Sequence, residues 1–347
     1  MEFDKEIVRL YNLYLKKIPL DLIGKHDSEI GGWKNNVQLS LFDFSRIISI
    51  IHRCNNLRGI TQSGYDLDFD NLEPIFSLLI CEGSIAFTEN NSYEIINLPA
   101  PNKMRKIKED SFIDNPDDKL NQFPCSIGSR ILRVKKIVND FPYTTSMRIG
   151  LMGDDDLVSL EIARRTNFTP IVFELDKKII EKITQVNKGE CLGIEIIEKD
   201  FRDLSPNTCQ VDTFFADPPY TVGGVLTFLY AGLKLLSSKD RVYLIANQMF
   251  LGKRGMPEIF KSLSDAGIFP VEISNAFNEY PLPSNYRESQ DLSNKLKTLG
   301  NIDVSKLMSS SSSLFVLMTN DLNLKSLKNK ISKMENIYDR YGRYSND

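Results

Sequence analysis

Between residues 147 and 274 the chain alternates short apolar runs with longer amphipathic stretches, and few architectures accept that pattern. The strand-like runs are 147–152, 170–175 (Pro-Ile-Val-Phe-Glu-Leu), 194–197, 211–216 (Val-Asp-Thr-Phe-Phe-Ala), 241–246 and 268–274. Helical stretches lie between most of them, near 157–166, 177–187, 222–236 and 255–266. Strands that alternate with helices predict a parallel sheet with crossover helices, a doubly wound α/β domain. A last apolar run, 313–318, predicts one more strand, and the serines at 309–313 in front of it read as a polar loop. Leu322, Leu324, Leu327, Ile331, Met334 and Ile337 have helical spacing, and 339–347 reads as a mobile tail.

The first hundred residues have a different period. Apolar residues at helical spacing run from Phe3 to Ile18, from Leu41 to His52, and from Leu72 to Cys81 with Pro74 near the start. A short hairpin follows, 84–88 and 93–96 around a polar turn at 89–92. Helices followed by a hairpin resemble a winged helix, whose obvious use is DNA binding. Residues 1–98 carry nine Lys and Arg against fourteen Asp and Glu. A DNA reader needs a basic face, so no nucleic-acid partner is expected. A structural or oligomerisation role is the better reading, with a homodimer among the expected arrangements. The chain therefore divides into a winged-helix-like N-terminal domain at 1–98, a proline-bearing, charged linker at 99–124, the α/β domain at 125–320, and a C-terminal helix and tail at 321–347.

Bulk properties narrow the chemistry. The five cysteines are scattered and odd in number, with no ligand-like spacing, so reduced thiols and a cytoplasmic location are expected, and no metal. The N-terminus mixes charges throughout, unlike a secretory leader. The longest apolar run, Val222 to Leu233, is about 12 residues where a bilayer span needs about 20. The only histidines are His26 and His52. An acid or base in the later domain must therefore be a carboxylate, Tyr or Lys.

In an open parallel sheet, ligands bind at the carboxyl ends of strands, and four polar elements lie at such ends. The first, Gly153-Asp-Asp-Asp156, puts three carboxylates in a turn that is normally glycine-rich, so the site expects a cation. The second, Glu174-Leu-Asp176, follows by about 20 residues, where an acid holds a ribose diol. The third, Asp200-Phe201, offers an acceptor and a ring for an adenine. The fourth is Asp217-Pro-Pro-Tyr-Thr221. Its two prolines fix φ and turn the Asp217 carboxylate and the Pro218 carbonyl toward one point. That suits an amine nitrogen, with Tyr220 offering an apolar face. An acidic strand end is often only a helix cap, and Asp156 alone could be one. Four such elements in order fit a nucleoside-binding domain better.

This set, with Asn275-Ala-Phe-Asn-Glu-Tyr280, resembles the branched-chain polyamine synthase family over roughly residues 125 to 318. The resemblance implies a Rossmann-like, methyltransferase-type doubly wound sheet preceded by a winged-helix-like domain. It also implies aminopropyl transfer from decarboxylated S-adenosylmethionine, as co-substrate, to the secondary amine (N4) of spermidine. On that reading Gly153, Glu174, Asp176, Asp200, Phe201 and Pro218 hold the co-substrate. Asp154, Asp155, Asn278, Glu279 and Tyr280 contact the polyamine, with Asp156, Asp217 and Tyr220 at the reacting nitrogen. The segments 123–127 and 281–312 depart from the family's pattern.

Decarboxylation leaves a sulfonium and an ammonium. A triple-carboxylate turn attracts that form and repels the parent's carboxylate, an effect that a buried basic residue nearby would weaken. Carboxylates also favour a protonated acceptor, which cannot attack, so a base must act at one nitrogen. Crowding raises the proton affinity of at least one aspartate, and Asp156, nearest the helix, is the expected base. The competing expectation is an S-adenosylmethionine-dependent N-methyltransferase that shares the Asp-Pro-Pro-Tyr turn and acts on an amino group of a nucleobase or small molecule.

Overall fold

In the computed structural model, residues 1–17, 26–27, 32–33, 39–61, 63, 69–88, 92–107, 124–237, 241–281, 294, 309–319 and 322–332 are described. The expectations for 108–123, for most of 282–308 and for the tail lie outside these residues. The chain falls into two units, Met1–Met104 with Lys135–Ser146, and Arg105–Val134 with Met147–Asp347.

The first unit contains β1 (Glu2–Phe3), α1 (Lys5–Lys17), β2 (His26–Asp27), β3 (Gly32–Trp33), α2 (Leu41–Cys54), α3 (Leu57–Thr61), α4 (Phe69–Cys81), β4 (Ile85–Phe87) and β5 (Tyr93–Ile95). It also takes the end of α5 (Ile127–Asp140) and β6 (Thr144–Ser146), which pairs antiparallel with β1. Ser40 starts α2 by accepting from the Asp43 amide at 3.1 Å. Ile7, Leu10 and Tyr14 of α1 pack with Ile47, Ile48 and Ile51 of α2 and with Ile75, Leu78 and Leu79 of α4.

The second unit continues with β7 (Arg148–Met152), α6 (Val158–Arg165), β8 (Thr169–Glu174), α7 (Lys177–Glu190), β9 (Glu195–Glu198), β10 (Thr213–Ala216), α8 (Val222–Leu233), β11 (Arg241–Ala246), α9 (Gln248–Asp265), β12 (Ile268–Pro281), β13 (Ser309–Thr319) and α10 (Leu324–Ile331). Its seven-stranded sheet has the order β12-β13-β11-β10-β7-β8-β9. The five strands from β11 to β9 are parallel, and β13 and β12 run antiparallel at one edge. Strand order reverses between β7 and β10, the switch point at which a doubly wound sheet opens a crevice. Every residue of β10 and β11 is buried, as expected of parallel strands covered on both faces. Among the described residues no helix is long and apolar enough to cross a membrane.

Three differences from the sequence reading matter for the site. Serines 309–313 are not a loop: they form the first half of β13, paired with β12 and, at Ser313, with Ala246 of β11. Their uniform polarity hides the strand, because the alternation that marks one is missing. β12 runs on to Pro281, with register shifts at Pro270/Glu272 and Ser274/Asn278 and Ala276 in the left-handed region at φ 49°. That second bulge re-aims Asn278 to Tyr280. Helix α5 was not expected at all. Its buried residues include Val134 and Ile137 but also Arg130 and Arg133, and arginine at core positions breaks the apolar period.

Candidate active site at the sheet switch point

β7 and β10 are paired with Met152 opposite Ala216, so Gly153 and Asp217 leave adjacent strands at the same level. The two acidic turns are thereby brought side by side. Gly153 has φ 76°, a conformation open to glycine at little cost. Buried Leu157 also has positive φ, 56°, which marks a strained turn.

The three aspartates of this turn have separate fates. Asp154, buried, accepts from the amides of Val158 at 2.7 Å and Ser159 at 3.2 Å and so caps α6. Asp156 has both oxygens occupied, Oδ1 by the Cys125 amide at 2.5 Å and Oδ2 by Arg133 at 2.5 Å. Asp155, half-buried between them, has no hydrogen-bond or ion-pair partner among the described residues. It is the aspartate of the turn whose carboxylate neither caps a helix nor pairs with an arginine among the described residues.

Arg133 organises the rest. The start of α5 is tied to β12, with the Ser126 amide donating to the Glu279 carbonyl at 2.7 Å and the Glu279 amide to Ser129 Oγ at 2.8 Å. Arg133, 2% exposed, then reaches under the turns. Its Nη1 meets Asp156, its Nη2 meets Asp217 Oδ2 at 2.6 Å, and its Nε donates to Asn278 Oδ1 at 3.0 Å. The guanidinium lies over the Phe215 ring, 5.1 Å from its centroid. Tyr280 donates to the same Asp217 oxygen at 2.6 Å, and Tyr220 reaches Tyr280 Oη at 3.1 Å and Asp217 Oδ1 at 3.4 Å. Ser312 Oγ donates to Tyr280 Oη at 3.1 Å, and Asn278 Nδ2 to Ser312 Oγ at 3.2 Å.

The structure thus joins Asp156, Asp217, Tyr220, Asn278 and Tyr280 in one network, with Asp155 beside it. Glu174 adjoins the first turn, its Oε2 accepting from the Asp154 amide at 3.1 Å and its Oε1 from the Leu175 and Asp176 amides. Asp176 itself caps α7 through the Lys178 amide at 2.9 Å. The Phe201 ring packs edge-on against Phe228 at 4.6 Å, and Asp200 accepts the Asp203 amide through its carbonyl. Past Pro218, the Thr221 amide donates to the Pro219 carbonyl at 2.7 Å and Thr221 caps α8. Glu279 does not join the cluster. It is exposed, and strand alternation turns it to the face opposite Asn278 and Tyr280. The sequence reading missed Arg133, Cys125, Ser129 and Ser312. For Arg133 the usable signal was an arginine one helical turn before Ile137 and two before Phe141.

Residues 104–343 match the branched-chain polyamine synthase A C-terminal domain. This chain belongs to the branched-chain polyamine synthase family. A segment is 31% identical over 138 residues to N(4)-bis(aminopropyl)spermidine synthase of Methanocaldococcus jannaschii, covering 38% of this chain and 39% of that one. An uncharacterized protein of the same organism is 31% identical over 136 residues, 38% of this chain and 34% of its own length. The matched segment therefore spans between a third and two-fifths of these curated relatives. The branched-chain polyamine synthase from Thermus thermophilus, crystallised with N4-aminopropylspermidine and 5'-methylthioadenosine, shares the fold. It covers 91% of this chain and 93% of its own, with TM-score 0.50 and 17% identity.

Charge in this family member's site is more balanced than three adjacent aspartates suggest. Burial pushes Asp154 up to about 7 against the pull of its amide hydrogen bonds. Asp155 is raised well above the carboxylate range, first by burial and then by the charges of Asp156, Asp217 and Glu174. Burial pushes Asp217 up to about 6, with Arg133 holding it down. Burial also raises the Tyr220 and Tyr280 hydroxyls and the Cys125 thiol, so all three are neutral donors at neutral pH. For Arg133 burial opposes the charge, and Asp156 and Asp217 more than reverse it.

Proposed function

We propose that this chain transfers an aminopropyl group from decarboxylated S-adenosylmethionine to the secondary amine of a polyamine, spermidine N4 in the first instance, with Asp155 as the proton acceptor. The observation that carries this reading is the carboxylate of Asp155, without a hydrogen-bond or ion-pair partner among the described residues, beside the Asp217–Tyr220–Tyr280 cluster. At 4 Å and an effective dielectric near 20, a carboxylate and an ammonium attract by ~4 kcal/mol. Opposition to a carboxylate at the same point has the same order. In its ionised form Asp155 therefore favours the decarboxylated co-substrate over its parent.

The assignment of the base to Asp156 gives way to Asp155 for a physical reason. Asp156 has no free oxygen, and a proton placed on it would break the buried pair with Arg133. Asp155 combines an open carboxylate with a raised proton affinity, the two properties a base needs. Glu174 is the candidate for the ribose diol and Phe201 for the adenine, with Asp217 and Tyr220 orienting the acceptor nitrogen. The co-substrate supplies a methylene activated by sulfonium, which departs as a neutral thioether when the C–N bond forms. The protein's remaining share is alignment of nitrogen, carbon and sulfur. In this reading the first unit has a structural or oligomerisation role.

A second reading, N-methyl transfer from S-adenosylmethionine, is favoured by Arg130. This residue is buried one helical turn before Arg133, and its Nε and Nη2 lack hydrogen-bond partners among the described residues. An unsatisfied guanidinium suits a carboxylate. One experiment separates the two: mass spectrometry of products after incubation with each co-substrate and a panel of amines. The expected result is aminopropyl adducts of spermidine with the decarboxylated form alone. Methyl adducts from the parent would replace this function with the second.

A further inference from the structure

We propose that Arg133 excludes an ammonium from the point where Asp217, Tyr220 and Tyr280 converge, so that the acceptor nitrogen enters there as the neutral amine. This rests on the aminopropyl-transfer reading above. An acidic site that gathers a polyammonium stabilises the protonation state in which the attacking nitrogen has no lone pair. The site needs one nitrogen neutral while the others stay charged.

Arg133 supplies that asymmetry by its position. All three of its nitrogens are engaged, at 2.5 Å to Asp156, 2.6 Å to Asp217 and 3.0 Å to Asn278. At 2% exposure it cannot swing away without leaving two carboxylates unpaired. A nitrogen that hydrogen-bonds Asp217 Oδ1, the oxygen facing Tyr220, shares one carboxylate with this guanidinium. The two lie within roughly 5 Å, given ordinary hydrogen-bond lengths. A like charge at that range disfavours the protonated amine, and a guanidinium keeps its charge at any working pH.

The other charged and titratable groups around this point are Cys125 and Arg130 near the start of α5, Asp154, Asp155 and Asp156 after β7, Glu174 after β8, Tyr220 after Asp217, and Tyr280 on β12. Of the carboxylates, Asp156 is spent on Arg133 and Asp154 on capping α6. Asp155 is left for the proton. The amine lone pair forms the new C–N bond, the C–S pair goes to sulfur, and the proton on the new ammonium passes to Asp155. No proton need leave the amine before attack.

The test reads the bound nitrogen directly. Spermidine labelled with 13C beside its secondary nitrogen is bound to the full chain together with 5'-methylthioadenosine, and its carbon shifts are followed against pH. A free alkyl amine titrates near ~10, as for Lys. In the wild type the bound nitrogen should titrate at least two units below its value in Arg133→Met, a hundredfold shift toward the neutral form, because the carboxylates of Asp156 and Asp217 left in the variant hold the proton. In Arg133→Met it should return to the free value or above, with Arg133→Lys in between. A wild-type nitrogen that titrates at or above its value in Arg133→Met overturns the proposal. In turnover, Arg133→Met should lower kcat/KM for the acceptor at least tenfold at pH 7.5 and recover most of it by pH 9.5. A loss equal at every pH would mark Arg133 as structural only. Wild-type enzyme that forms no aminopropyl product at any pH would remove the underlying function, an outcome distinct from normal turnover with an unshifted nitrogen.

Discussion

Two buried arginines, one in each unit, are held by aspartates in opposite ratio. In the first unit Arg46 Nη2 lies 3.2 Å from Asp140 Oδ1, and Lys136 Nζ lies 2.9 Å from the same oxygen. Two cations converge on one carboxylate. In the second unit one cation, Arg133, lies between two carboxylates. Each guanidinium also lies over an aromatic ring, Phe42 for Arg46 and Phe215 for Arg133. Burial, pairing and ring contact are alike, so none of them separates a structural pin from a site. A buried salt bridge is weak ground for either stability or function taken alone. What separates the two is the ratio of cations to carboxylates at the shared contact and the carboxylate left over. At Asp140 two cations share one carboxylate oxygen. Around Arg133 an open Asp155 and two tyrosines remain.

That contrast predicts opposite phenotypes for aspartate-to-asparagine changes. Asp155→Asn should lower turnover by about 10²–10⁴, the range of a lost acid-base group, with folding intact. Its raised proton affinity sets the direction with pH: the base form is lost as pH falls through a value above the usual carboxylate range. The wild-type acid limb should therefore lie well above pH 4 and vanish in the variant. Turnover kept in Asp155→Asn and lost in Asp156→Asn would return the base to Asp156.

Asp140→Asn should do the reverse. Removing the carboxylate takes the Asp140 partner from both Arg46 and Lys136, and breaking a buried pair costs about 3–5 kcal/mol. Urea unfolding should report that loss, while turnover per folded molecule stays near wild type. Equal stability in Asp140→Asn would show the pair to be as dispensable as a surface bridge.

A smaller effect links pH to stability through the cap of α6. Asp154 is 2% exposed and titrates at about 7 in the folded chain, against ~3.9 unfolded. The folded state thus binds this proton more tightly. Its contribution is fully present below about pH 4 and is lost as pH rises through about 7. Asp217, at about 6, acts in the same direction. The wild type should lose stability between pH 5 and pH 7.5, by an order of a few kcal/mol. Asp154→Asn, whose amide oxygen still accepts from Val158, should show a flatter profile. An unchanged difference between the two pH values would exclude Asp154 as its source.

How far all this was legible in the sequence depended on whether a feature is local. Each parallel strand has its own apolar run, so β7, β8, β10 and β11 were readable one at a time. The turns after β7 and β10 were readable too, because their residues sit at strand ends. Which aspartate of the first turn is open was not, since that depends on Arg133, separated from Asp156 by more than twenty residues and on a helix whose period it spoils. Glu279 stands apart from Asn278 and Tyr280 because strand parity past the bulge at Asn275 to Phe277 sends alternate residues to opposite faces.

The serines illustrate the same limit and carry the smallest effect. Ser312 belongs to a strand only because β11 and β12 flank it, partners that no local pattern announces. Its hydroxyl links Asn278 to Tyr280, and through Tyr280 to Asp217. Ser312→Ala removes one neutral donor from that chain, while Tyr280 keeps its bonds to Asp217 and Tyr220. The expected cost is about 1 kcal/mol, a fall of at most tenfold in kcat/KM. Tyr280→Phe, which strips Asp217 of its shortest hydroxyl contact, should cost more, because hydrogen bonds to a charged group are worth about 1.5–3 kcal/mol. If the two losses were equal, Ser312 would be acting on Asp217 wholly through Tyr280. A double variant no worse than either single one would establish that coupling.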